Sequence, residues 1–586
     1  MKFSLEITKK VFTGKEIFMK IEQENLLQII DKGTELALCA QLTELFDKFN
    51  DDRISQLSDI RTIQNAIYNT SLPNRGGWHS QVELPEIYEL SQTLKSHIAE
   101  NLYSNPEGMF DVTGATMEAQ EFANLQKAML VDVFDKMDIE KELDKVISAV
   151  VETGEATLFV GWETRVKQRR RMKTLKEQLL TNDNNKFVIE EKVIYDNPKV
   201  RFISPENFVF DKDNYDCWDS CKKFYRTYLT LDDILSDRSN NLMTQEKADK
   251  LKGVVANRKS RDNNGKLEII EFWGDIELND GRILKNWLIT LADRREIIRF
   301  EQNPYVINPF IHANIIENPS TKRGISPLRV ALILNNLSST ILNKQIDALA
   351  LMINPPYLAP KGCFKGEQIV TPGKIIEYDS ALMPQAPAPL SFDKAMVGWD
   401  FLNYFKTTIE SATGIFKNMS GNVQSFERTA TELNYSASGQ EARLNMLLEN
   451  INKKIIIPVV EKTAEIISDF KFGKENILVN DKGCQEFVEI NDKVRNSQYV
   501  YRYGDRKANI TRKMRMRELF EIVKSFAQIP TVAERVDWLE CFKFALEQFG
   551  IENVNNFLLK QNFQAAPQIS TTNNTSDETL QNEVLQ

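Results

Sequence analysis

The residue types that do chemistry are all present in this chain, but not at working spacings. Gly373-Lys374, with Gly366 upstream, resembles a phosphate-binding loop. A working loop reads G-x-x-x-x-G-K-[ST], because backbone amides must cradle the phosphates and a hydroxyl must reach magnesium. Here the glycines are wrongly spaced and Ile375 stands where the hydroxyl belongs. Asp211, Asp213 and Asp216 (DKDNYD) resemble the start of a calcium loop. The glycine needed at its sixth position is missing, so they read as a solvated acidic loop. Cys217 and Cys221 lie close together, but a zinc site needs four ligands and there is no second pair. The other cysteines, and His79, His97 and His312, are scattered and read as free thiols and ordinary surface or core residues. Neither H-E-x-x-H nor G-x-S-x-G occurs. These absences point away from an enzyme and leave no expectation of a catalytic residue, a metal or a cofactor.

Composition narrows the possibilities further. The chain has 586 residues, 42% hydrophobic and 27% charged. That is ordinary for a globular protein of about three to five domains. The net charge is −9. Proteins that grip DNA usually show a basic footprint, since affinity comes from neutralising phosphates. A DNA contact here should therefore be weak. The one dense basic run, Arg165 to Lys176 (RVKQRRRMKTLK), reads either as a solvated helix or hairpin tip, or as a phosphate or partner contact. The longest apolar run, around Ala348 to Ile353, is far short of the ~20 residues a membrane span needs. No apolar stretch follows the N-terminal lysines as in a secretory leader, so the expectation is assembly in the host cytoplasm without a membrane.

These groups must be placed by the elements around them. Residues 1–150 carry apolar residues at helical spacing (Leu26, Leu27, Ile30, Leu36, Leu38, Leu42), interrupted by NRGGWHS at Asn74 to Ser80. From Glu155 the pattern becomes β-rich: ATLFVGWE, then 186–203, then 266–300, with Asn279, Asp280 and Gly281 marking a hairpin. A long helix is expected over 324–352, with Ser326 as its cap, Pro327 in its first turn and an end before Pro355. Its apolar residues (Leu328, Ala331, Leu332, Leu334, Leu342, Ile346, Leu349) cover more than one stripe, so it should want neighbours on several sides. A proline-rich, β-containing insertion follows at 353–392, then a second helix over 393–413 that stops at Gly414. After a polar loop, a helix from Thr429 should be kinked by Pro458. Short strands are expected between Phe472 and Tyr503, helices after Thr511, and a polar disordered tail over 565–586.

Several separated segments, in order, resemble the portal (head-tail connector) proteins of tailed double-stranded DNA phages, the short-tailed podovirus type above all. These are ISPENFVFD (Ile203 to Asp211), EFWGD, EQNPYVINPF (Glu301 to Phe310), GISPL (Gly324 to Leu328) and, most specifically, ERTATEL (Glu427 to Leu433) leading into a long helix. The resemblance spans roughly residues 200 to 510.

It implies an α+β portal fold, with a mixed wing over 1–323 and a first stem helix over 324–352. A clip over 353–392, a second stem helix over 393–413 and a tunnel loop over 414–428 follow. A long kinked wing helix (429–475), a β-containing wing segment (476–510) and a helical crown (511–564) complete it. It also implies a homo-oligomeric ring, typically a dodecamer, at one capsid vertex of the virion. Double-stranded DNA would pass through it transiently during packaging and ejection. Its partners would be the major capsid protein and scaffold, the packaging ATPase (terminase), and tail or adaptor proteins. Lys417, Asn418, Asn422 and Arg428 would face the channel, unless Arg428 instead pairs with Glu432. Asp347 and Glu410 would line an acidic wall, unless they pair with Lys344 and Lys406. Leu342 and Ile346 would pack the stem. The other readings are a different head-tail connector or minor capsid protein, or a DNA-packaging enzyme, which would need the missing phosphate loop.

Overall fold

A computed structural model describes residues 32–68, 79–103, 109–172 and 187–503, apart from 238, 263–264, 280, 354–356, 359–380, 382–387, 390–398, 415–442 and 482–483. The chain divides into two compact units, residues 1–479 with 487–504, and residues 480–486 with 505–586. The described residues lie almost entirely in the first unit.

It opens with helices α1 (Lys32–Tyr68) and α2 (Glu86–Tyr103). A short strand β1 (Phe110–Gly114) precedes α3 (Met117–Met137) and α4 (Ile139–Thr153). Thr116 caps α3 by accepting the Ala119 N–H, and Gly154 ends α4 at φ 77°. The strand in this otherwise helical region departs from the expectation of helices alone. It pairs antiparallel with β16 (Tyr499–Tyr503), and no local pattern announces a partner so distant in sequence.

Two sheets carry the middle of the chain. One has the order β3-β2-β9, from β2 (Glu155–Met172), β3 (Phe187–Ile203) and β9 (Phe310–Asn314). The other is an antiparallel meander of β4 (Phe208–Phe210), β5 (Lys223–Thr230), β6 (Lys266–Glu277), β7 (Ile283–Ala292) and β8 (Glu296–Gln302). Helices α5 (Leu231–Ser236) and α6 (Gln245–Asp262) lie between β5 and β6. The expected hairpin forms: Gly281 takes φ 82°, and its N–H donates to the Leu278 carbonyl at 2.9 Å. The basic run proves to be strand. As far as Met172 it pairs with β3, from Arg165 opposite Tyr195 to Met172 opposite Phe187.

The pair β10 (Glu317–Asn318) and β11 (Arg323–Gly324) leads into α7 (Arg329–Ile353), about 37 Å long at ~1.5 Å per residue. Within 353–392 the described residues form one antiparallel pair, β12 (Tyr357–Leu358) with β13 (Ala388–Pro389). Helix α8 (Trp399–Thr413) ends at Gly414, whose φ is 74°. Helix α9 (443–451) then passes through a π-helical segment, Asn452–Ile456, into α10 (Ile457–Phe470). Pro458 has no N–H and its ring crowds the preceding turn, so the irregularity expected there takes the form of this π segment. Strands β14 (Glu475–Asp481) and β15 (Cys484–Ile490) and helix α11 (Asp492–Asn496) precede β16.

Two cores hold these layers together. The larger packs α2, α3, α4, α9 and α10 on the inner ends of β2, β3 and β9, with Leu328, Ala331 and Leu332 of α7 and Ile409 of α8. The second sets Leu38, Leu42, Phe46 and Phe49 of α1 on the five-stranded sheet. The architecture is mixed α and β, as expected. Among the described residues, no helix is long and apolar enough to cross a membrane.

Candidate functional site

Helix α7 is held at its start by backbone packing. A Cβ on Gly154 would lie 2.0 Å from the Ile325 carbonyl oxygen. Ser326 Oγ donates to the Val151 carbonyl at 2.8 Å and accepts the Leu328 N–H at 3.1 Å, which ties the cap read from sequence to the end of α4. Beside it sits a buried ionic cluster. Arg53 of α1 hydrogen-bonds the Glu155 carboxylate. Arg323 Nη1 lies 3.7 Å from the same carboxylate, with its guanidinium 3.7 Å above the Phe210 ring. The Gly324 N–H also donates to Glu155, at 3.2 Å. Burial alone would raise the Glu155 carboxyl, but Arg53 and Arg323 hold it down at about 2. His312 is pushed down to about 3 by burial, and its Nδ1 lies 2.9 Å from Thr157 Oγ1. It is thus a neutral core histidine.

Further along, residues 79–84 run beside α7 and are bonded to one of its faces. Leu84 N–H donates to Ser339 Oγ at 3.1 Å. The Asn343 amide accepts the Val82 N–H at 2.8 Å and donates to the Val82 carbonyl at 2.7 Å. Asp347 accepts the Ser80 N–H at 2.6 Å and lies 3.0 Å from His79 Nδ1. The Ser80 amide and the His79 ring hold the Asp347 carboxyl below the usual range. Ser339, Asn343 and Asp347 are four residues apart, so they form one row on the helix. Helix α8 packs against α7, with Lys406 paired to Glu86 at 3.4 Å. Arg443 Nη1 donates to the Ser411 carbonyl at 2.9 Å, a cation at a helix C-terminus where carbonyls lack partners.

As a result, α7 has an unusual burial pattern. It buries Asn335, Ser338, Ser339, Asn343 and Gln345. It exposes Val330 (54%), Ile333 (65%) and Leu337 (44%), which share one face. Phe401 and Tyr404 of α8 are exposed as well. Periodicity does not single out these residues, because it reports which positions align and not which row the rest of the chain covers.

The expected site residues meet different surroundings. Leu342 and Ile346 are half-buried in the single chain. Asp347 is engaged by His79 and Ser80, so the expected pairing with Lys344 gives way to partners from a distant segment. Glu410 is half-buried, and Lys406 bonds to Glu86. Lys417, Asn418, Asn422 and Arg428 lie outside the described residues, as do the helices expected after Thr511. Among the described residues no group of His, Cys, Asp or Glu is placed to hold a metal ion. Asp211 instead caps a 3-10 turn, accepting the Asp213 N–H at 3.2 Å.

The chain matches the family model described as phage SU10 portal protein over residues 171–585. It belongs to that family of phage portal proteins. A comparison with curated proteins finds no match. The SU10 portal family is structural, and membership places the chain in the virion capsid as part of an oligomeric ring associated with capsid and tail. The podovirus type expected from the sequence agrees with the SU10 portal match.

Proposed function

We propose that this chain is the subunit of a ring, twelve-fold in the expected form, at one capsid vertex, through which double-stranded DNA is packaged and ejected. The ring would also be the platform for the packaging ATPase and for the tail. The observation that carries this is the inverted burial of α7. A helix that covers its amide and hydroxyl row with its own chain, and leaves Val330, Ile333 and Leu337 in water, is suited to apolar contact with another helix. Copies of the same helix standing side by side supply that contact at every position of a closed ring.

In this reading α7 and α8 are the stem, residues 353–392 the clip, and 414–428 the tunnel loop that carries Lys417, Asn418, Asn422 and Arg428. Residues 429–475 and 476–510 complete the wing, and 511–564 form the crown. Passage requires that DNA not be gripped. Twelve copies carry a formal charge of −108, and such a wall repels the duplex within a Debye length of ~8 Å. Asp347 and Glu410 add to that wall, while the few tunnel-loop cations guide the duplex. Class averages of the purified chain by electron microscopy test the proposal. Annular particles with a central hole are expected; a chain that stays monomeric at high concentration and hydrolyses ATP would overturn it.

A further inference from the structure

Beyond Glu163 the strands β2 and β3 leave the core as a two-stranded ribbon, 163–172 against 187–196. Cross-strand register sorts its side chains. One face carries Val166, Val193, Ile189, Met172 and Phe187, each 49–65% exposed, with Arg170 opposite Ile189. The other face carries Lys167 opposite Lys192, and Arg169 opposite Glu190. Among the described residues, Lys167, Arg169, Arg170 and Lys192 make no ion pair. An isolated two-stranded ribbon is marginal in water, and this one holds an apolar face in solvent.

The same unit has a complementary recess. Glu461, Glu465 and Asp469 recur every four residues along α10 and line a groove of about 600 Å³, together with Val306, Tyr499 and Tyr501. None of the three carboxylates has an ion-pair partner among the described residues. The ammonium of Lys462, on the same helix, donates to the Asn308 carbonyl. Burial, then like-charge repulsion between Glu461 and Glu465, raises both carboxyls. Val306 is 74% exposed, so the groove has an apolar lip.

We infer that the β2–β3 ribbon of one copy docks into the α10 groove of the next, with Arg170 and Lys167 meeting Glu461 and Glu465, and the ribbon's apolar face covering Val306 and the tyrosines. A ribbon that enters a groove offers both of its faces to the walls, so Arg170 and Lys167 can both contribute. This rests on the ring reading above. No ribbon residue lines the groove within the single chain, so neither surface is satisfied internally. Joining a protrusion to an unlike recess makes a heterologous contact, the kind that closes rings when repeated. Opposite charge sets the register of such a contact.

The test uses the full chain, with ring fraction followed against concentration by mass photometry and electron microscopy. Lys167→Glu with Arg170→Glu, or Glu461→Lys with Glu465→Lys, should each raise the concentration for half-assembly about ten-fold or more. The combined four-fold variant should recover most of that loss, with thermal melting showing each variant folded. Should a variant fail to fold, hydrogen exchange of the wild-type ribbon decides: residues 166–172 and 187–193 become protected on ring formation if the docking is right, and stay exchangeable if it is wrong. Wild-type rings with all variants assembling alike would overturn the docking and leave the ring reading standing. A wild-type chain that forms no ring would overturn both.

Discussion

Gly324 passes so close to Gly154 that a Cβ on it would lie 2.4 Å from the Gly154 carbonyl oxygen. The contact joins the end of α4 to the strand that feeds α7, so the long helix leaves the core at a set position. Gly154→Ala meets two penalties, a left-handed backbone at φ 77° and a 2.0 Å approach to the Ile325 carbonyl. A loss of about 2–4 kcal/mol is expected, read as a lower denaturant midpoint. An unchanged midpoint would show that this junction relaxes freely.

Replacing Glu155 with Gln leaves two buried guanidiniums without their carboxylate. Breaking one partner of a buried pair costs about 3–5 kcal/mol, and equilibrium unfolding of the variant should show a loss in that range. Exchange of both Arg53 and Glu155 for apolar residues should cost less, since no orphan charge remains.

Acid should destabilise the fold in two windows. His312 has a folded pKa of about 3, below its ordinary value of 6.5, so between these limits the unfolded chain binds the extra proton. Stability is therefore lost as pH falls from about 6.5 toward 3. Glu155, at about 2 against an ordinary 4.5, contributes stability above 4.5 that is lost as pH falls through 2. His312→Gln should flatten the melting temperature between pH 6.5 and 4.5. A variant with the same slope as the parent would place the effect elsewhere.

Asn343→Ala removes both bonds to the Val82 backbone and strands its N–H and carbonyl beside the helix. A destabilisation of about 1–3 kcal/mol is expected, with faster amide exchange over residues 80–84 as the direct readout. Equal exchange in parent and variant would mean that Ser339 and Asp347 hold the segment without it.

Ring assembly should respond to the exposed face of α7 and not to its fold. Ile333→Asp should melt like the parent yet fail to form rings, because Ile333 is 65% exposed in the single chain. Leu342 and Ile346, being half-buried, should lower both stability and assembly when replaced by Asp. Deleting 416–425 should leave rings intact and impair DNA packaging or retention; lost rings would argue against a tunnel loop there.

The helix–insertion–helix order was readable because its punctuation is local. Ser326 caps, Gly414 terminates, and Gly281 turns a hairpin through dihedral preferences that depend on a few neighbours. What escaped depends on distant chain. The partner of Asp347 is His79, and β1 finds its ladder in β16. The run Arg165 to Lys176 has no apolar period from which to read its backbone, and β3 decides the matter by pairing with it as far as Met172. The inverted face of α7 was hidden for the same reason, since the segment 79–84 chooses which row is covered.

The π-helical segment at Asn452–Ile456 gives the α9–α10 rod one residue more than an unbroken α-helix would hold over the same length. The rod is thereby keyed like a two-part shaft, with Leu444, Leu448 and Ile451 above the key and Val459, Val460 and Ile467 below it all turned to the same core. Deleting any single residue there would turn the lower part by about 100°, moving its apolar row off the core and Glu461 and Glu465 away from the groove. The length of this segment is therefore as tightly specified as any side chain in the molecule.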